Sequence, residues 1–304
     1  MPDTQNTTLS TSLDDAEAGA LFADIFERSL LVARAQSVMP SLVRVFTDQQ
    51  GKMDRHASQR GQIVAAAVAE NAAIPLTEGE KELLASLTPG EFGAATAITL
   101  RAMRTDPDLV SDTAMELGQA MGEHMDVALL SAIKDFERDD IGHADDVMSV
   151  EHIEVAAAVL RDAKVPGNLV CVMSERQWYG IRADQRIDKA ITNAPDFIRD
   201  ELSRKRYMGS LGEVGIVVTP NVPVDTATDE VTSTAGLFAT GSALAMDMRQ
   251  SPAHDAHWRG GRRRLWEYSI VADGAFGVWR PDYGVPITTS APVPAIDRSA
   301  SYDA

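Results

Sequence analysis

Apolar residues recur at helical spacing in the stretch DDAEAGALFADIFERSLLVARAQ, where Leu21, Phe22, Ile25, Phe26 and Leu30 share one face. This predicts a short amphipathic helix that Pro40 brings to a stop, and the polar dozen residues before it read as a disordered arm. From residue 41 to 100 the pattern changes. Short strand-like runs, SLVRVFTD, GQIVAAAVAE and AATAITLRAM, alternate with turn material containing Gly51, Gly61, Pro75, Gly79, Pro89 and Gly90. An extended, partly exposed hairpin is expected there. Asp106 followed by Pro107 then opens a long helix, the carboxylate capping free amides and the proline suiting the first helical position. Met115, Met121, Met125, Leu129, Ala132 and Phe136 form its apolar stripe, so it is expected to reach about Glu137 and to span roughly 45 Å.

Another helix is expected from a cap at Ser149, with Glu151 and Glu154 in its first turn, to the break at Pro166-Gly167. LVCVMS reads as a buried strand, and Ser174 with Gln177 makes a capping box that opens a helix through Trp178, Tyr179 and Ile181. Strands follow in EVGIVVT, LFATGSALAMDM, RLWEYSIVA and GVWRP, with Trp266, Tyr268 and Ile270 alternating against Leu265, Glu267 and Ser269. The fold class is α+β, the last third mainly β, with an irregular polar tail after Pro286.

At 304 residues and 44% hydrophobic content the chain can bury a sizeable core. No apolar run is long enough for a membrane span and the start lacks a signal peptide's regions, so a cytosolic chain with no membrane partner is expected. Cys171, the single cysteine, lies in an apolar run and reads as a buried small hydrophobe. With 28 basic against 45 acidic residues the net charge is −17, which opposes broad attraction to a polyanion. A negative wall is still compatible with enclosing DNA, because it does not trap the polymer during filling or release.

Motifs for chemistry are weak. Gly209, Gly212 and Gly215 lead into a strand at the wrong spacing for a dinucleotide fingerprint and read as turn glycines. No phosphate-binding loop or nucleophile elbow occurs. His254 and His257 could ligate a metal, but the run SPAHDAHWRGG reads as a solvated turn between strands. Asp139, Asp140, His143, Asp145 and Asp146 read as a solvated acidic loop without the ligand order of a calcium-binding hand. No cofactor and no catalytic residue is expected. Arg259, Arg262, Arg263 and Arg264 concentrate four of 28 positive charges, and suit carboxylates of an adjoining subunit or, second, phosphates.

The order of elements, with DVALLSAIKD, VLRDAKVPGNLVCVMSERQWYGIR, GLFATGSALAMDM and LWEYSIVADGAFGVWRPDYGVPITT, resembles the major capsid proteins of tailed double-stranded DNA phages, the Hong Kong 97-like fold. The resemblance implies an N-terminal arm (1–40), an extended hairpin loop with the start of a peripheral domain (41–105) and a spine helix (106–148). An axial domain (149–235) and peripheral strands with a C-terminal tail (236–304) would complete the subunit. It implies self-assembly as hexamers and pentamers into an icosahedral virion head around the DNA, built in the host cytoplasm without enzymatic activity or sequence-specific DNA contact. A separate scaffolding protein, a portal protein and decoration proteins are the partners it implies. Some members cross-link through lysine and asparagine; Lys52 lies in the loop region, and no cross-link is expected. A bacterial nanocompartment shell shares the fold and is the nearest alternative, followed by a soluble metal-dependent α+β enzyme.

Overall fold

The computed structural model describes residues 37–48, 53–60, 81–105, 109–183, 191–192, 207–225, 231–259 and 265–291. The amphipathic stretch around Phe22, the run GQIVAAAVAE, Lys52, the cap Asp106-Pro107 and Arg262 to Arg264 lie outside these residues. In chain order the elements are β1 (Arg44–Phe46), β2 (Arg55–Arg60), β3 (Lys81–Leu87), β4 (Gly90–Thr99), α1 (Leu100–Thr105), α2 (Leu109–Ser131), α3 (Val150–Asp162) and β5 (Leu169–Met173). They continue with α4 (Glu175–Ala183), β6 (Ile191–Thr192), β7 (Tyr207–Leu211), β8 (Val214–Val218), β9 (Val224–Asp225), β10 (Thr232–Ala239), β11 (Leu244–Arg259), β12 (Leu265–Val278) and β13 (Gly284–Ser290).

The chain divides into two compact units, both discontinuous in sequence. Of the described residues, one contains Ser37 and those within 90–125 and 248–274, the other those within 38–89, 126–247 and 275–304. In the first, β4 pairs antiparallel with β12 over ten residues, from Gly90↔Gly274 to Thr99↔Leu265. Tyr268, Ile270 and Ala272 of β12 and Ile98 of β4 close a core against Ala114, Leu117 and Met121 of α2. The alternation read around Tyr268 is therefore real, and of the expected stripe Met121, Leu129, Ala132 and Phe136 are buried while Met115 is 52% exposed. Leu117 and Met121 supply the bulk of the docked face, with Ala114 buried beside them.

In the second unit a sheet runs in the order β13-β10-β5-β8-β7-β6, with β9 beside β10. Among the described strands of this sheet, β5 and β8 pair in parallel and the other neighbours antiparallel. All five residues of β5 are buried, as expected of a continuous apolar run covered on both faces. On one face α3 contributes Ile153, Ala156 and Leu160, and α4 contributes Trp178 and Ile181. On the other, Ile133 and Phe136 sit where Cβ atoms on Gly236 and Gly284 would collide with them. That packing ends α2 early. The α-helix stops at Ser131, a tight turn follows over Ala132–Asp135, and Phe136 is extended (φ −65°, ψ 143°), so the helix falls short of the expected Glu137. Its 23 residues span about 35 Å.

Local signals read from sequence operate as expected at two helix starts. Ser174 N donates to Gln177 Oε1 (3.1 Å) while Gln177 N donates to Ser174 Oγ (3.3 Å). Ser149 N donates to His152 Nδ1 at 3.3 Å, so His152 completes that cap. Helix α3 ends as Lys164 takes a left-handed turn (φ 56°) and Val165 N bonds Leu160 O at 3.0 Å. Gly212 (φ 60°) makes the β7–β8 turn and Gly209 (φ 129°) a bulge beside it, whereas Gly215 lies inside β8. LFATGSALAMDM splits into the end of β10, a turn and the start of β11.

Cys171 is fully buried, and burial pushes its thiol up to about 12 from the usual 9.0. The native thiol is expected to resist a disulfide reagent at neutral pH and to react only after urea unfolds the chain; fast labelling of native protein would contradict this burial. Stability should be insensitive to this group below about pH 9 and fall as pH rises toward 12, because the unfolded chain then sheds a proton that the fold retains.

Candidate assembly anchors

A two-stranded ribbon has no second layer of its own and must be held at its root. Strands β2 and β3 form such a ribbon, paired from Arg55↔Leu87 to Arg60↔Lys81 with an irregularity between Ala57 and Ser58. At the root Leu87, 3% exposed, packs with Phe46, Ala245, Ala275 and Trp279. Parallel pairing of β1 with β11 sets Phe46 opposite Asp247. Arg55, the first residue of β2, enters this corner: its Nε donates to Asp247 Oδ2 (2.8 Å) and its Nη2 to Asp48 Oδ1 (2.5 Å). The guanidinium lies 4.2 Å from the Phe46 ring centroid, and that ring stands 4.9 Å from Trp279. Asp247 is wholly buried and Arg55 nearly so. Burial works against the charged guanidinium, but the hydrogen bonds and attraction of Asp247 and Asp48 outweigh it and raise its pKa. Partners 192 residues apart in sequence thus fix the root of the hairpin.

A second anchor lies on α2. Asp126, 0% exposed, accepts hydrogen bonds from Val38 N (3.1 Å), Met39 N (3.0 Å) and Asn221 Nδ2 (3.1 Å). Val38 and Met39 are themselves buried, so the chain just beyond Ser37 is pinned into the core by a helix carboxylate. A third tie joins Gln177 Nε2 to Ser233 O (2.8 Å) and Thr289 Oγ1 (2.9 Å), locking α4 to β10 and β13.

The residues singled out for chemistry are scattered. His254 and His257 fall within β11, which remains extended through Pro252 to Arg259; the expected turn is a strand. His257 is exposed. Asp139, Asp140, His143, Asp145 and Asp146 are exposed, and Asp140 Oδ1 accepts from Gly142 N (3.1 Å) and Thr288 N (2.8 Å), stitching the loop to β13. Among the described residues no three His, Cys, Asp or Glu side chains are placed to hold a metal. Arg259 is the last residue of β11. Sequence reading passed over both anchors: Asp126 has one signal, a carboxylate next to Met125 of the apolar stripe, and Arg55 has none.

A family profile described as phage capsid protein matches residues 84–287, more than half of the chain. The chain belongs to the phage capsid protein family. The capsid protein shares its fold with the capsid of Ralstonia phage GP4, at 12% identity over 86% of this chain and 93% of that chain, TM-score 0.66. It is also similar to the mature capsid of bacteriophage PhiM1 (13% identity, 85% and 88% covered, TM-score 0.60). A virus-like particle from Pyrococcus furiosus matches at 11% identity over 88% and 98% of the chains, TM-score 0.55. No curated protein sequence matches. The capsid protein thus has the Hong Kong 97-like α+β fold and belongs to a structural, non-enzymatic class. No helix among its described residues is long and apolar enough to cross a membrane.

Proposed function

We propose that this capsid protein self-assembles, as hexamers and pentamers, into a closed icosahedral head that encloses the phage's double-stranded DNA. The observation that carries the proposal is the β2–β3 ribbon, clamped at its root by Arg55 and Leu87 in a chain of the capsid family. Farther out on the ribbon Leu83 is 60% exposed, and Met53, two residues before its root, is 82% exposed, apolar surface that a neighbouring subunit can cover. In this reading residues 41–105 supply the extended loop, 106–148 the spine helix, 149–235 the axial domain and 236–304 the peripheral strands. Each subunit held by several neighbours needs only weak individual contacts, because joint attachment multiplies effective concentration. Arg259, Arg262, Arg263 and Arg264 would face acidic side chains of an adjoining subunit or, second, phosphates. A scaffolding protein, a portal protein and decoration proteins are the proposed partners, with assembly in the host cytoplasm and DNA held without sequence preference.

The contents of isolated particles test this. Particles purified from phage-producing cells should retain double-stranded DNA after nuclease treatment; particles filled with a stoichiometric protein cargo and no protected DNA would overturn the genome-enclosing reading in favour of a nanocompartment.

A further inference from the structure

Helix α3 opens on a capping box whose third helical residue is a histidine in place of the usual glutamate or glutamine. The Ser149 side chain accepts from the His152 backbone, and Nδ1 of the half-buried His152 accepts from Ser149 N at 3.3 Å. Ser149 Oγ stands 2.7 Å from the same ring nitrogen. A backbone N–H can only donate, so the box needs a lone pair on Nδ1. A proton there lets the hydroxyl reverse its role, but it turns N–H against N–H at the Ser149 amide. It also adds positive charge at the positive end of the helix.

The box closes one end of a strap. Residues 140–147 run along the edge of β13 opposite to β10: Thr288 N donates to Asp140 Oδ1 (2.8 Å), Ile141 N to Pro286 O (3.3 Å) and Ser290 N to Asp146 O (2.8 Å). A Cβ on Gly142 would collide with Thr288 O, so a side chain there would lift the strap. Val147 bridges Ser290, and Ser149 follows two residues later.

We propose that His152 is a pH-sensitive latch: neutral, it closes the cap of α3 and holds the strap on β13; protonated, it releases both. The inference goes beyond the shell reading and does not depend on assembly. The strands that α3 packs on, β10 (TSTAGLFA) and β13 (GVPITTS), carry no ionisable side chain. On α4, Glu175 and Tyr179 are exposed and Arg176 Nη1 donates to Ala291 O (3.2 Å). The strap brings His143, Asp145 and Asp146, and α3 itself Glu151 and Glu154, all exposed, with Arg161 and Asp162 at its far end. Exposed carboxylates attract an imidazolium only weakly through water, and they supply no acceptor that the box has lost.

Hydrogen exchange of the full-length chain, corrected for intrinsic rates, reads the latch at about pH 7.5 and about pH 5.5, across the range where histidine ordinarily changes charge. At the lower pH the amides of Ser149 and Ser290 should lose about fivefold in protection or more. Val165 N, bonded to Leu160 O beyond the other end of α3, should keep its protection. In His152→Gln, whose side-chain oxygen accepts at either pH, the loss should vanish. Nitrogen NMR of the native chain gives a reading that needs no variant: at the higher pH the His152 ring should carry its proton on Nε2. A proton on Nδ1 there, unchanged protection in the parent, an equal loss in His152→Gln, or a loss at Val165 matching that at Ser149 would each overturn the latch.

Discussion

Replacing Arg55 by alanine is expected to destabilise the subunit by about 3–5 kcal/mol. Most of that loss comes from Asp247, a wholly buried carboxylate that would lose its ion pair with Arg55. Arg55→Lys keeps the charge but not the planar fork that reaches Asp247 and Asp48 together while lying on Phe46, and should cost roughly 1–2 kcal/mol. Asp48→Ala should cost under about 1 kcal/mol, because its side chain is 66% exposed. The double change Arg55→Met with Asp247→Leu should recover much of the loss, since it removes both buried charges at once. Urea unfolding of the unassembled subunit measures all four. Arg55→Ala within about 1 kcal/mol of the parent would show that the clamp does not hold the hairpin root.

An effect of similar size is expected at Asp126. Asp126→Ala leaves the buried amides of Val38 and Met39 without the carboxylate that accepts them, and should cost about 3–4 kcal/mol. Asparagine is a poor substitute. Both carboxylate oxygens accept hydrogen bonds, Oδ1 from Val38 and Met39 and Oδ2 from Val38 and Asn221, so an amide nitrogen in either place turns a donor toward donors. Asp126→Asn should therefore lose at least half as much as alanine, read from the same unfolding curves; a neutral effect would contradict the pinning of Val38. The anchor also sets where an arm deletion must end. Removing residues 1–40 would take Val38 and Met39 out of the core, so a deletion meant to remove the arm alone stops at Gln36.

What the sequence made legible was local. The run from Leu169 to Met173, the box of Ser174 with Gln177, the cap at Ser149 and the alternation through Tyr268 each depend on neighbours a few residues away. The misses were decided by tertiary contact. Helix α2 ends early because Ile133 and Phe136 fill space left by Gly236 and Gly284, over a hundred positions later in the chain. Met115 is apolar and large enough for a core, whereas the docked face consists of Ala114, Leu117 and Met121. The histidine-bearing run reads as a loop by composition, yet pairing with β12 keeps β11 extended while Asp255 and His257 face outward. Arg55 and Asp126 act through partners at separations of 192 and 88 residues, which no periodicity encodes.

Size-exclusion chromatography followed by negative-stain electron microscopy of the purified chain, with and without a scaffolding protein from the same locus, tests the shell account most directly. Closed particles tens of nanometres across, or capsomer-sized rings, are the predicted result, and a stable monomer or dimer under every condition would contradict it.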